Sequence, residues 1–568
     1  MTTSTTIAAT NATNATNATR TATVNIAELL REHAAAHPDQ PAIVDTFRGN
    51  ERITTFGQLE RTVQQASALL WETGLRAGDT VLVLQPMSAE LYSVLIALFR
   101  SGLVAMLVDP AAGREHVERC CALARPRAFI GSSKAHLLRA FVPALRAIPR
   151  QLVIGAYPFP VPGAIPWSRA ASLAPRDTIV ADDSDAPALL TFTSGSTGQP
   201  KAMLRSHRFL LAQHRILAQN FPGQQGEISL TTLPVFVLAD LASGLTSLIA
   251  AGDLRHPARI APAPVLAQLR KYRPVRASAS PAFWERIAAY CEHHHQVLPE
   301  SLESLYAGGA PVFPPLLQRL QAIAPQARVV SVYGSTEAEP IAHIGYGECR
   351  TGDMAQMRLG CGLLAGAPVP EIQARILRNQ WGTAIGSCTA EEFAAHCLPF
   401  GEPGEIVVSG EHVSTGYLDG AGDEETKFTV DGVVWHRTGD MGYLDAAGRL
   451  WLLGRCSAQI QDARGTLYPF AVECALSWEP KIQRAAAVAY RGRRLLVIET
   501  RGRLSSKRIH ALVGWAEFDA IWRCRHIPVD ARHNAKIDYP ALRRLLAKRE
   551  KQVQRLSVRR TTKPASVG

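Results

Sequence analysis

Three things are missing from these 568 residues: a C-x-x-C pair, a G-x-x-x-x-G-K-[ST] loop, and an unbroken apolar run of bilayer length. Ten cysteines (120, 121, 291, 349, 361, 388, 397, 456, 474 and 524) are scattered without paired spacing, which argues against a zinc ribbon or a dithiol redox motif. No secretory signal precedes them, so a reducing, cytoplasmic setting is expected. The most apolar stretch, Leu91–Phe99 followed by Leu103–Val108, is split by Arg100, Ser101 and Gly102 into pieces far below the roughly 20 residues that span a bilayer. It reads as a buried helix feeding a buried strand, with no transmembrane segment. Aromatic-interleaved basic grooves are also missing. The net charge is +12, but seven Lys/Arg against one acid lie between Lys548 and the C-terminus, which points to a basic terminal segment rather than a basic fold. No nucleic-acid partner is expected.

What remains is a globular composition, 47% hydrophobic and 19% charged, long enough for more than one core. Residues 1–24 are Thr/Ala/Asn-rich and lack the apolar side chains that would offset ordering entropy, so a disordered tail is predicted there. From residue 25 onward, apolar runs such as Thr80–Leu84 and Leu152–Gly155 alternate with amphipathic helices, one of them starting at Thr54 or Thr55. That rhythm predicts an α/β fold, with parallel or mixed sheets buried on both faces by packed helices, in a large N-terminal domain over 25–455. A smaller, mobile α+β C-terminal domain is expected over 456–547, hinged at 455–457, with the basic tail at 548–568.

Thr191-Phe-Thr-Ser-Gly-Ser-Thr-Gly-Gln-Pro-Lys201 is rich in donors and poor in bulk. Glycines let backbone N–H groups turn toward an anion, hydroxyls add donors, and lysine supplies a mobile charge. Thr193, Ser194, Gly195, Ser196, Thr197, Gly198 and Lys201 are therefore candidate phosphate ligands. Leu230–Leu238 reads as an apolar strand and bend. Cys291-Glu-His-His-His295 does not read as a metal site, because adjacent histidines on a helix point in different directions. Gly308, Gly309 and Ala310 form a small-residue turn that a flat ring could approach closely.

Val329–Tyr333 runs as a strand into Gly334-Ser-Thr-Glu337, the kind of strand end where α/β sheets hold ligands. Tyr333 can stack on a base and Glu337 can hold Mg²⁺ against phosphate oxygens. Trp435–Asp445 reads as strand–turn–strand, closed by Gly448–Arg455. Within it Asp440 is a candidate for ribose hydroxyls, and Arg455 for ribose or phosphate.

Thr193 to Lys201, Tyr333 to Glu337, Thr438 to Asp440, Gly454 with Arg455, and Lys536 resemble, in order and approximate spacing, the motifs of the adenylate-forming superfamily of acyl-CoA synthetases, peptide-synthetase adenylation domains and luciferases. The likeness spans about residues 26–545. It implies a Mg·ATP-dependent enzyme whose two domains close over a cleft, where a carboxylate attacks the α-phosphorus to give acyl-AMP and pyrophosphate. It further implies Lys536 and Thr336 as catalytic residues, and an acyl pocket at Phe236 and Val237 for a hydrophobic, fatty-acid-like acid. The acceptor implied is CoA or an acyl-carrier thiol.

Trp435–Asp445, Gly465–Tyr468 and Val529–Ile537 look most like the β-lactone synthetases of bacterial olefin biosynthesis, which implies internal closure of a 3-hydroxyacyl-AMP as the alternative. Ser457 and Leu467 stand where thioester-forming members often carry charged residues, and Ala202 stands where glycine commonly follows the loop lysine. A non-catalytic acyl- or nucleotide-binding relative would be expected to lose Lys536, Glu337 or Asp440, and all three are here.

Overall fold

The computed structural model describes residues 25–47, 49–155, 161–180, 185–194, 200–529 and 536–549. The expected tail over 1–24 lies outside them, as does the expected basic tail over 548–568 apart from Lys548 and Arg549.

Two sheets build the large lobe. In the seven-stranded one, Ile165–Pro166, Arg150–Ile154, Ala128–Ser132, Thr80–Leu84, Val104–Leu107 and β1 (Pro187–Ser194) run parallel, and β2 (Pro200–Ser206) turns back antiparallel at the edge. Strands such as Thr80–Leu84 are buried almost throughout because helices cover both faces. The helix Phe56–Glu72 starts at a Thr55/Gln58 capping box, as its sequence predicts. The helix Ala89–Arg100 is buried along its whole length. The Arg100 guanidinium, closed off from solvent, is offset by Glu60 and Asp177, each at 2.6 Å.

The second, fourteen-stranded sheet changes character midway. Pro41–Phe47, Thr246–Ile249, Ile228–Thr231, Arg276–Ala279, β3 (Ser304–Ala307) and β4 (Arg328–Ser335) are parallel. From β5 (Ala338–Gly345) onward the pairing is antiparallel, reaching β6 (Val433–Leu444) and β7 (Leu450–Arg455).

Two local expectations are corrected here. Leu230–Leu238 is not a strand and bend: the strand stops at Thr231, and Pro234 opens a helix, α1 (Pro234–Ala242), where its missing N–H costs nothing. Trp435–Asp445 is not strand–turn–strand: Trp435 to Leu444 lie within the single strand β6, whose irregularity at Met441/Gly442 absorbs the glycine-rich stretch, and Asp445 stands just past its end.

Between β5 and β6 the large lobe adds a helix, α2 (Thr351–Arg358), on the side that meets the small lobe. The small lobe follows β7, and its three-stranded sheet is β8 (Ile482–Tyr490), β9 (Arg493–Thr500) and β10 (Ala520–Cys524). Helices α3 (Pro469–Leu476) and α4 (Ser506–Val513) cover one face of that sheet, and α5 (Tyr539–Lys548) covers the other. Helix α3 is also the seat of the large lobe. Phe470 lies 5.6 Å from the Phe313 ring, Cys474 enters the large lobe's core, and Ala471 packs with Met441 and Leu453. Gly454 is required at this joint, because a Cβ there would come within 2.7 Å of Phe470 Cβ.

Candidate active site

The C-terminal ends of β3 and β4 lie side by side at the point where the large sheet turns from parallel to antiparallel, the position at which such sheets open a crevice. Gly308 follows β3 so closely that a Cβ would sit 3.3 Å from Val332, and Gly309 (φ +80°) has open space beside it. A planar group can therefore lie against that backbone. The Tyr333 hydroxyl donates to Asp440 Oδ2 at 2.8 Å. Asp440 and Arg455 are cross-strand partners on β6 and β7, with Arg455 Nη1 3.3 Å from Asp440 Oδ1. Burial and the Asp440 carboxylate push the Tyr333 phenol well above its usual range, so it acts only as a donor, and Asp440 raises Arg455. Side chains from the two strands β4 and β7 thus fix the Asp440 carboxylate on β6.

Below this cluster the chain turns through Ser335 and Thr336 into Glu337. The Ser335 hydroxyl oxygen is shut from solvent with no hydrogen-bond partner among the described residues, and the Thr336 carbonyl accepts from Arg205 at 2.8 Å. Glu337 Oε1 accepts the Tyr417 hydroxyl at 2.8 Å. Burial works to raise this carboxyl, but the neighbouring His436, the Tyr417 bond, its own backbone N–H and the Lys427 ammonium together outweigh it and hold Glu337 below the usual carboxylate range. Lys427 is itself buried. It donates to the Ser414 carbonyl, lies 3.2 Å from His436 Nδ1, and is pulled down to about 8 by desolvation.

Lys201 also lies over the Tyr417 ring, its ammonium 5.7 Å from the ring centre, against 5.6 Å for Lys427. Thr193 and Lys201 are opposite each other where β1 pairs with β2. Gly195, Ser196, Thr197 and Gly198 lie outside the described residues, as do the side chains of Thr193 and Ser194. Lys201 is paired with Glu425 at 2.8 Å, and Gly422 leaves room for its stem, since a Cβ there would come within 2.5 Å of it.

The remaining candidates are more dispersed. Phe236 joins an aromatic group with Phe221 and Tyr306, two residues before Gly308, whereas Val237 packs into the core around helix Ala89–Arg100. Gly334 sits tightly near the end of β4, where a Cβ would meet the Ala338 carbonyl at 3.0 Å, and Ala310 follows Gly309 in the loop after β3. Lys536 is exposed on the small lobe, one residue before the Val529–Ile537 bridge. Sequence reading missed Tyr417, Glu425 and Lys427, and it took Ser335 and His436 only as parts of motifs, without a role of their own. Local pattern even misleads at Lys427, because strand alternation sets it on the same side as Thr429 and opposite the apolar pair Phe428 and Val430, a face that reads as solvent.

A family model described as AMP-binding enzyme matches residues 30–418. An olefin beta-lactone synthetase of Stenotrophomonas maltophilia is 31% identical over 549 residues, covering 90% of this chain and 96% of its own length. A sulfoacetate–CoA ligase of Cupriavidus necator is 27% identical over 82% of this chain and 84% of its own. Among solved structures, an O-succinylbenzoate coenzyme A synthetase from Bacillus subtilis in complex with AMP superposes with a TM-score of 0.71 at 21% identity, covering 91% of this chain and 97% of that one. The motifs, the fold and these likenesses agree, and the chain belongs to the AMP-binding enzyme family of adenylate-forming ligases.

Proposed function

We propose that this enzyme activates a hydrophobic, fatty-acid-like carboxylic acid with ATP, giving acyl-AMP and pyrophosphate. The observation that supports the reading is the grouping near the end of β4 of a carboxylate fixed by Tyr333 (Asp440), a depressed carboxylate on the turn that follows (Glu337) and a loop lysine (Lys201) over the ring of Tyr417, whose hydroxyl donates to Glu337. A carboxylate and a triphosphate repel each other, so cations and oriented donors must cancel the charge that builds at the transferring phosphorus. The Gly308–Gly309 backbone and Tyr333 would take the base, Asp440 and Arg455 the ribose, and Ser335, Thr336 and the hydroxyl loop the phosphates.

The residues suit Mg²⁺ at one point: Glu337 is an oxygen donor held below the usual carboxylate range, the kind of ligand that ion takes. The ion would neutralise charge on the phosphate oxygens while Glu337 holds it. Lys536 would arrive from the small lobe to complete the charge balance.

For the second step the proposal is internal closure. The C3 hydroxyl oxygen of a 3-hydroxyacyl-AMP attacks the acyl carbon, the acyl–phosphate C–O bond breaks, AMP leaves with the electron pair, and the hydroxyl proton is released to solvent. Likeness to an olefin beta-lactone synthetase over 90% of the chain supports this. Transfer to a CoA or carrier thiol is the second reading, supported by likeness to a CoA ligase. Incubating the protein with Mg·ATP and a 3-hydroxy fatty acid, without any thiol, tests both. AMP, pyrophosphate and a β-lactone are expected; acyl product formed only when CoA is added would replace closure by thiol transfer.

A further inference from the structure

Lys536 stands on a bend whose downstream footing is well defined. Ile537 bridges Val529, the Asp538 N–H donates to the Pro528 carbonyl at 3.0 Å, and the Asp538 carboxylate caps α5 by accepting from Ala541 N–H at 2.8 Å. All three contacts are local. A fourth is not: the Tyr539 hydroxyl, at the first position of α5, donates to Glu473 Oε1 at 2.6 Å. Glu473 belongs to α3, on the opposite face of the small sheet, so this bond ties one layer of the small lobe to the other around the β8–β10 sheet.

Helix α3 is also the helix that rests on the large lobe, packed against β7, the strand that ends in Arg455. The path from Arg455 through β7 and α3 to Glu473, Tyr539 and Lys536 therefore runs through packed elements and one side-chain hydrogen bond. The bond is placed at a cost. Burial pushes the Glu473 carboxyl up to about 8, against the pull of the Tyr539 hydroxyl, and an apolar contact at this place would have avoided that desolvation.

We infer that Glu473 and Tyr539 are positioning residues for Lys536: their bond sets the angle at which the start of α5 presents that lysine to the nucleotide crevice. The inference rests on the role proposed above for Lys536. Acid-dependent ATP–pyrophosphate exchange tests it in the full-length protein, with Tyr539→Phe, Glu473→Leu, their double variant and Glu473→Gln measured beside Lys536→Ala. Tyr539→Phe and Glu473→Leu should each lose about ten- to a hundredfold in kcat, the scale of a misplaced catalytic group, with KM for ATP and Tm near wild type.

The double variant should lose no more than either single one, since both remove the same bond. Glu473→Gln, whose amide oxygen still accepts from the phenol, should restore most of the rate. A wild-type kcat in Tyr539→Phe beside an inactive Lys536→Ala overturns the inference. A multiplicative loss in the double variant does so as well, and so does a kcat loss that merely follows a fall in Tm. A wild-type rate in Lys536→Ala is a different result: it removes the lysine's role itself, and the inference with it.

Discussion

The two lobes place the charged groups of the candidate site differently. In the large lobe each charged group of the site already has a counterpart: Asp440 has Tyr333 and Arg455, Glu337 has Tyr417 and Lys427, and Lys201 has Glu425. In the small lobe Lys536 is exposed on a bend, and the order around it comes from the α5 cap and a single bond across to α3. The difference teaches a division of labour. On the proposed function, the large lobe would be preorganised to receive a nucleotide, and the small lobe would carry a cation brought in afterwards, an arrangement that would let closure exclude water before transfer.

If that division holds, Asp440→Ala should do the most damage to nucleotide binding. Loss of a charge-assisted acceptor pair should weaken AMP by about ten- to a hundredfold in a calorimetric titration, with a smaller proportional change in kcat. Gly360→Ala should act on the other side. Gly360 (φ +89°) faces the Trp515 ring of the small lobe, and a Cβ would strike it, so the lobe must shift; kcat should fall severalfold while AMP affinity stays. Equal effects of the two variants on binding would erase the contrast.

Acid should find the large lobe first. Burial pushes His207 down to about 4, so it is neutral in the folded lobe, where its Nδ1 accepts the Ile26 N–H, while in the unfolded chain it takes up a proton below about 6.5. Between those values the unfolded state binds more protons, so stability is lost as pH falls. Tm should drop from pH 7 to pH 5, and His207→Asn, which keeps an acceptor for Ile26, should flatten the slope. The smallest effect is expected from ending the chain after Arg549: exchange activity should stay at the full-length value.

Much of this was legible in the letters. The capped helix at Thr55, the buried helix Ala89–Arg100 and the strand into Tyr333–Glu337 were readable because period and capping chemistry are local. Helix α1 was misread because a short apolar stretch around a proline fits strand and helix equally until packing decides. The site's second layer was not readable at all: Tyr417, Glu425 and Lys427 lie about 80 to 90 residues beyond Glu337 in the chain, and only the fold brings them to it. The charge reading was too narrow. Residues 456–547 carry sixteen Lys/Arg against eight Asp/Glu, so the basic excess belongs to the small lobe's fold as well as to the tail.

The most direct test pairs two readings on Lys536→Ala: AMP binding by titration and acid-dependent ATP–pyrophosphate exchange. The division of labour predicts wild-type AMP affinity together with an exchange rate lower by about two or more powers of ten, as expected for removing a group that stabilises only the transition state. Exchange at the wild-type rate, or a matching loss of AMP affinity, would contradict it.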